Sequence, residues 1–163
     1  MVISFTGHRP DKINNVEEEK KLLLKTLKSL LGEDLNQHSF IVGGCPGFDT
    51  IALELLLQEK VDKSKILLAV PFRGFERYAG KDHAQENQRV LTLNYTCGVP
   101  FKEVGGREGS FGQKTFKRNM FMVDNSEIVV TNHDGTNGGT ANTVKYAMKT
   151  GKRVVNIKDY DKS

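Results

Sequence analysis

Short apolar runs that alternate with longer helix-like stretches constrain the fold of this chain more than any other feature. The runs are typical of strands that are buried on both faces, because apolar and polar residues do not alternate strictly within them. They cover residues 2–5, 40–42, 65–70, 128–130 and 153–157, with a weaker run at 99–104. The helix candidates cover residues 16–31, 49–60, 83–93, 113–124 and 140–149. This order predicts an α/β fold with a central, mostly parallel sheet of about five to six strands and helices on both faces.

The length of 163 residues fits one compact domain, and we expect a single domain over residues 1–163. No apolar run reaches the roughly 18 residues that a membrane span needs. The N-terminus lacks the basic and then apolar layout of a secretory signal peptide. We therefore expect a cytoplasmic protein without membrane contact.

The formal net charge of +4 favours anionic partners only slightly, because the positive residues form no long block. The chain has no tryptophan and no stripe of interleaved aromatic and basic residues, which single-strand binders use. Nucleic acid is therefore disfavoured as a partner.

Polar, glycine-rich segments follow the predicted strands at their carboxyl ends. The carboxyl ends of parallel strands meet at one edge of the sheet, where open α/β folds bind their ligands. We therefore expect these segments to form one ligand site. Their candidate residues are Thr6, Gly7, His8, Arg9, Gly43, Gly44, Gly47, Asp49, Pro71, Phe72, Asp134, Gly135, Gly138, Gly139 and Thr140.

Among these segments, Gly138-Gly139-Thr140 is the best candidate for a phosphate site. Glycines let backbone N–H groups approach a phosphate, and the following helix directs its partly positive N-terminus at the same point. The alternative is a tight turn with Thr140 as an ordinary helix cap. Neither a Walker A sequence nor a strict dinucleotide fingerprint is present, so dehydrogenase chemistry is disfavoured and no cofactor is expected.

Arg118 and Asn119 belong to the helix candidate 113–124, whose expected apolar face holds Phe116, Met120 and Val123. Arg118 could bind a phosphate through two parallel hydrogen bonds, and Asn119 could bind a sugar or a base. A solvated arginine on an amphipathic helix is the alternative.

Three further candidates also have two interpretations. His8 and Arg9 could contact a phosphate, although Arg9 precedes a proline and could have a purely structural role. Asp49 could accept a hydrogen bond from a ribose hydroxyl, or it could simply cap a helix.

Other catalytic chemistry finds little support. The histidines at 8, 38, 83 and 133 show no metal-binding spacing, so no metal site is predicted. Ser110 does not lie in the Gly-x-Ser-x-Gly pattern of serine hydrolases. Cys45 precedes a helix, which can activate a thiol, but a passive small residue is the favoured interpretation.

Several motifs together resemble the SLOG superfamily, the Rossmann-like Smf/DprA–LOG group. They are TGHRP, GGCPGFDTIA, VPF, KRNMFMVDNSEIVV and DGTNGGTANTVKYA, in this order over residues 2–157. The nearest resemblance is to small bacterial and phage proteins that open with TGHRP. The resemblance implies a Rossmann-like three-layer sandwich, a nucleotide-derived small molecule at the carboxyl edge of the sheet, and a homodimer or larger assembly.

One branch of this superfamily, the phosphoribohydrolases, cleaves nucleoside monophosphates and carries an arginine followed by PGGxGTxxE. Arg118 matches that arginine, and Gly138-Gly139-Thr140 match the xGT part of the signature. The position of the glutamate holds Thr143, which cannot act as an anionic acid or base. Whether the protein is an enzyme therefore stays open at this point.

Three functions are compatible with these observations. The favoured one is a module that binds a nucleotide or an ADP-ribose-like molecule, as a sensor or a sequestering protein. The alternatives are a nucleoside-monophosphate N-glycoside hydrolase that uses Asp134 or Asp49, and a DNA-binding protein of the DNA-processing type.

Overall fold

The computed structural model describes residues 1–160, apart from the Lys81 side chain, and confirms the α/β architecture. Within these residues six strands form one sheet in which every pairing is parallel. The strands are β1 Val2–Thr6, β2 Ser39–Val42, β3 Ile66–Val70, β4 Phe101–Glu103, β5 Ile128–Thr131 and β6 Arg153–Asn156. The α-helices are α1 Val16–Leu31, α2 Phe48–Gln58, α3 Ala84–Thr96, α4 Phe111–Asp124 and α5 Gly139–Lys149.

The strand order β4-β3-β2-β1-β5-β6 places a reversal of direction beside β1. The chain moves outward from β1 to β4, and α4 then returns it to β5 on the other side of β1. The loops after β1 and β5 therefore leave the sheet in opposite directions. A crevice forms between such loops, and in open α/β sheets this crevice is the usual ligand site.

Helices cover both faces of the sheet. On one face Leu23 of α1 packs in the same core cluster as Ile3 and Phe5 of β1, together with residues of α2. On the other face Met122 of α4 packs with Ile41 of β2, and α4 and α5 together cover β5. Among residues 1–160, no helix combines the length and the apolar character that a membrane crossing requires.

The buried face of α4 differs from the expected one. Val123 is buried as predicted, but Phe116 and Met120 are only partly buried. Arg118 and Met122 are buried instead, and Arg118 is 3% exposed. The alternative of a solvated arginine is therefore wrong.

Candidate functional site

A cavity of about 250 Å³ opens at the carboxyl edge of the sheet. The loop after β1, the loop between β2 and α2, one side of α4 and the segment that leads into α5 all line it. It thus lies in the crevice between β1 and β5, where the reversal of strand order predicts a site.

Direct contacts hold the loops after β1, β2 and β5 together. The His8 N–H donates to Asn132 Oδ1 over 2.9 Å, and the Phe48 N–H donates to the His8 carbonyl over 3.0 Å. Gly7 has no room for a side chain, because a Cβ there would collide with Asn132 and Phe48. Gly47 has a φ of 108° and lies against the backbone of His8 and Arg9, so it needs glycine on both grounds. These contacts fix the positions of Gly7, His8 and Arg9, which line the cavity.

The N-terminus of α5 is open towards the cavity. Gly138 is the cap residue and supplies no side-chain hydrogen bond, and the first turn contains no acidic residue. Within residues 1–160, the N–H groups of Gly139, Thr140 and Ala141 have no acceptor. By contrast, the Asn15 side chain caps α1, and Ser110 and Gln113 form a capping box on α4. Unpaired N–H groups at a helix N-terminus favour an anion.

Arg118 reaches from α4 to the ends of two strands. Its Nη1 donates to the carbonyls of Gly43 and Ala69, and its Nε donates to Asn119 Oδ1 over 2.8 Å. The guanidinium also lies 5.3 Å from the centre of the Phe75 ring. Arg118 therefore ties α4 to the sheet while it lines the cavity. Its Nη2 makes no hydrogen bond to any described residue, which leaves two N–H groups as donors for a ligand.

Asp49 is a buried carboxyl in the first turn of α2, and it lines the same cavity. It accepts a hydrogen bond from the Cys45 N–H over 3.2 Å. Burial raises the pKa of Asp49, although the positive charges of Arg118 and Arg9 and the Cys45 N–H oppose this shift. A Cβ on Gly43 would lie 2.6 Å from Asp49 Oδ2, so glycine at this position leaves space for the carboxyl.

His8, in the loop after β1, contacts Asp134 in the loop after β5. Its Nε2 lies 3.1 Å from both the Asp134 N–H nitrogen and Asp134 Oδ1. Burial lowers the pKa of His8 despite the attraction of Asp134, and nearby Lys12 lowers it further. The neutral ring therefore accepts from the Asp134 N–H. The hydroxyl and N–H of Thr136 hold the pKa of Asp134 well below its usual range, and the positive charge of Lys12 adds to the effect.

His8, His133 and Asp134 also form a group that could hold a metal ion, although the sequence predicts none. Their ligand atoms lie within 4.8 Å of one another, and His133 Nδ1 is buried without a partner among the described residues. Lys12 Nζ lies 3.5 Å from Asp134 Oδ2 and places a positive charge beside this group. This charge opposes cation binding, and we assign no metal to the group.

The cavity brings together many of the residues that the sequence singled out. The residues in its lining are Thr6, Gly7, His8, Arg9, Asp49, Arg118, Asn119, Gly138, Gly139 and Thr140. They come from four separate segments of the chain, as the argument from converging loops requires.

Other candidate residues support the cavity or lie beside it, outside its lining. Asp134 organises its own loop through Thr136, His8 and Lys12. The Pro71 carbonyl accepts from the Gly105 N–H, and the Phe72 ring packs edge-on against the Phe111 ring. Gly43, Gly44, Gly47 and Gly135 are also absent from the lining.

Sequence reasoning missed several lining residues. Lys12 lies two positions beyond the TGHRP motif, and its Nζ donates to Thr136 Oγ1 over 2.8 Å. Thr115 lies one helical turn before Arg118, a spacing that could have identified it. The other missed lining residues are Asp11, Thr136, Asn137 and Ala141, together with Cys45, which the sequence suggested only as a passive small residue.

Two residues with possible catalytic roles are unsuited to them. Burial raises the pKa of the Cys45 thiol to about 11, so it stays protonated at neutral pH and behaves as a passive residue. Thr143 is 2% exposed, and its hydroxyl donates to the Gly139 carbonyl over 2.9 Å within α5. Thr143 lies outside the cavity lining, so it cannot contact a ligand there.

Comparison with protein families gives one match over nearly the whole chain. The model of the YspA SLOG family matches residues 3–162. An uncharacterized SPbeta prophage-derived protein of Bacillus subtilis (strain 168), YoqJ, is 32% identical over 139 residues. This match covers 80% of the present chain and 81% of YoqJ.

Comparison with solved structures gives a fold match to DNA processing protein A from Helicobacter pylori. The TM-score is 0.60 at 15% sequence identity, and the match covers 94% of the present chain but only 63% of the other. That protein was described for its mode of single-stranded DNA binding. At this level of identity the match establishes the Rossmann-like fold alone.

Proposed function

The chain belongs to the YspA SLOG family, and we propose that it binds a nucleotide or an ADP-ribose-like small molecule in the cavity, as a sensor or a sequestering protein. The observation that carries this proposal is the uncapped N-terminus of α5. Three N–H groups there have no acceptor among residues 1–160, and the residues that carry them line the cavity. A phosphate would satisfy them and would interact favourably with the helix dipole.

The remaining lining supplies groups that suit the rest of such a ligand. Arg9, Lys12 and Arg118 provide positive charge, and the free Nη2 of Arg118 can donate to a phosphate oxygen. Asn119 accepts from Arg118 through Oδ1, which leaves its Nδ2 as a donor. The Asp49 carboxylate is suited to accept from a ribose hydroxyl, as similar acidic groups do in nucleotide sites.

Binding without turnover is favoured by the position of Thr143. A phosphoribohydrolase needs a carboxylate at this point of its signature, whereas Thr143 is buried and bonded within α5. The chain therefore retains residues that match the arginine and the xGT part of that signature, and it lacks a carboxylate at the glutamate position.

Calorimetric titration with AMP, adenosine, ADP-ribose and inorganic phosphate tests the proposal. We expect AMP and ADP-ribose to bind and adenosine to bind far more weakly, because adenosine offers nothing to the N–H groups of α5. Each ligand should be recovered unchanged after incubation. Equal affinity for AMP and adenosine, or no binding of any phosphorylated ligand, would contradict the proposal.

Hydrolysis of a nucleoside monophosphate is the second candidate, and Asp49 is the observation that favours it. This carboxyl is buried in the cavity and has a raised pKa, which are properties of a general acid or base. Release of free base from AMP over several hours, abolished in Asp49→Asn, would establish this function. Asp124→Asn is a matched control, because Asp124 is exposed at the far end of α4. Absence of base release would leave the binding function.

A further inference from the structure

Three aromatic side chains meet at the carboxyl edge of the sheet. Phe72 follows β3, Tyr78 lies in the same connection, and Phe111 begins α4. The ring centres are 6.1 Å apart for Phe72 and Tyr78, 6.2 Å for Phe72 and Phe111, and 6.4 Å for Tyr78 and Phe111. We call this group the aromatic cluster.

The aromatic cluster is partly buried at its base and exposed to solvent at its surface. Phe72 and Phe111 are partly buried and pack against the main core. Tyr78 is 66% exposed, which is unusual for so large a ring. Lys114 Nζ lies 5.4 Å from the centre of the Phe72 ring and adds a positive charge beside the rings.

Two contacts join the aromatic cluster to the wall of the cavity. Thr115 lines the cavity and donates its hydroxyl to the Phe111 carbonyl over 2.8 Å. Arg9 lines the cavity as well, and its Nη1 donates over 2.7 Å to the carbonyl of Ala79, the residue after Tyr78. The aromatic cluster therefore lies next to the cavity and is connected to two residues of its lining, while the three rings themselves are outside that lining.

We propose that the aromatic cluster is the nucleobase subsite of this protein, an inference that depends on the proposed function. The phosphate occupies the N-terminus of α5, and the base leaves the polar cavity and stacks on Tyr78 and Phe111. Aromatic rings stack on any base through its π-face, so the cluster accepts purines and pyrimidines with modest preference. Ligands that carry a phosphate and an aromatic base are therefore the expected class, ahead of sugar phosphates.

A comparison of AMP with ribose 5-phosphate tests the inference, because the two ligands differ by the base. We expect wild-type protein to bind AMP more tightly in calorimetric titration. Tyr78→Ala should weaken AMP binding roughly 5- to 150-fold, the range for losing one stacking aromatic residue. It should leave the affinity for ribose 5-phosphate unchanged. Tyr78→Phe keeps the ring and should retain AMP affinity.

Phe101→Ala is the matched control, since Phe101 is an exposed aromatic residue on the edge strand β4. It should change neither affinity. If both ligands bind wild-type protein equally, or if Tyr78→Ala weakens both by the same factor, the subsite is wrong while the proposed phosphate site stands. If neither ligand binds, the proposed function and the subsite fail together. If Tyr78→Ala weakens only binding of a single-stranded oligonucleotide, the inference is also overturned.

Discussion

Replacing Gly139 with proline removes one N–H from the proposed phosphate site and nothing else that the fold needs. Gly139 is the first residue of α5, where proline is well tolerated because the N–H has no partner inside the helix. A Cβ at this position meets no atom within 4 Å, and the backbone is not left-handed. The variant should therefore fold, with a stability equal to wild type or about 0.4–1 kcal/mol higher.

The expected loss of affinity follows from the three free N–H groups of Gly139, Thr140 and Ala141. A hydrogen bond to a charged group contributes about 1.5–3 kcal/mol, so losing one of the three donors should weaken binding roughly 10- to 150-fold. Two donors and the helix dipole remain, so AMP binding should be weakened and not abolished.

Gly139→Ala is the matched control, because it keeps the N–H and adds only the Cβ. Calorimetric titration of wild type and both variants with AMP and with inorganic phosphate measures the effect, and thermal melting checks the fold. We expect the alanine variant to bind like wild type. Equal affinity of the proline and alanine variants would refute the assignment of the phosphate to α5.

Two further predictions concern stability. Arg118→Ala should lower the free energy of unfolding by roughly 2–6 kcal/mol, because the carbonyls of Gly43 and Ala69 lose their charged donor and each unpaired buried group costs about 1–3 kcal/mol. Urea denaturation measures this loss, and exposed Arg153→Ala is the control. An unchanged stability in Arg118→Ala would show that these bonds contribute little. Because the pKa of His8 is lowered in the folded protein, the unfolded chain protonates this ring at a higher pH than the folded chain does. The neutral His8 ring therefore contributes its full stabilisation above about pH 6.5, and this stabilisation declines as the pH falls towards the pKa of His8 in the folded protein. Wild type should accordingly lose more stability than His8→Gln between about pH 7.5 and pH 5, and a smaller loss in wild type would indicate that Asp134 keeps the ring protonated.

Prediction of the fold succeeds because its signals are local. A continuous apolar run marks a strand buried on both faces, and the alternation of such runs with helices requires a parallel sheet. The same logic places the glycine-rich segments at one edge, and His8, Asp49 and Gly139 do line one cavity there. The predicted ends of the helices are less accurate. The sequence predicts a helix over residues 113–124, whereas α4 begins at Phe111 because Ser110 and Gln113 form its capping box.

What the sequence by itself determines is therefore the sheet, its helical layers and the edge that carries the polar loops. Only the tertiary structure decides the inward burial of Arg118, the loop-organising role of Asp134 and the meeting of Phe72, Tyr78 and Phe111. The physical reason is the separation along the chain of the residues that interact. Periodicity and turn chemistry act between near neighbours, whereas the His8–Asn132 and Arg118–Gly43 hydrogen bonds join residues 124 and 75 positions apart. Such pairings exist only after the sheet has brought their strands together.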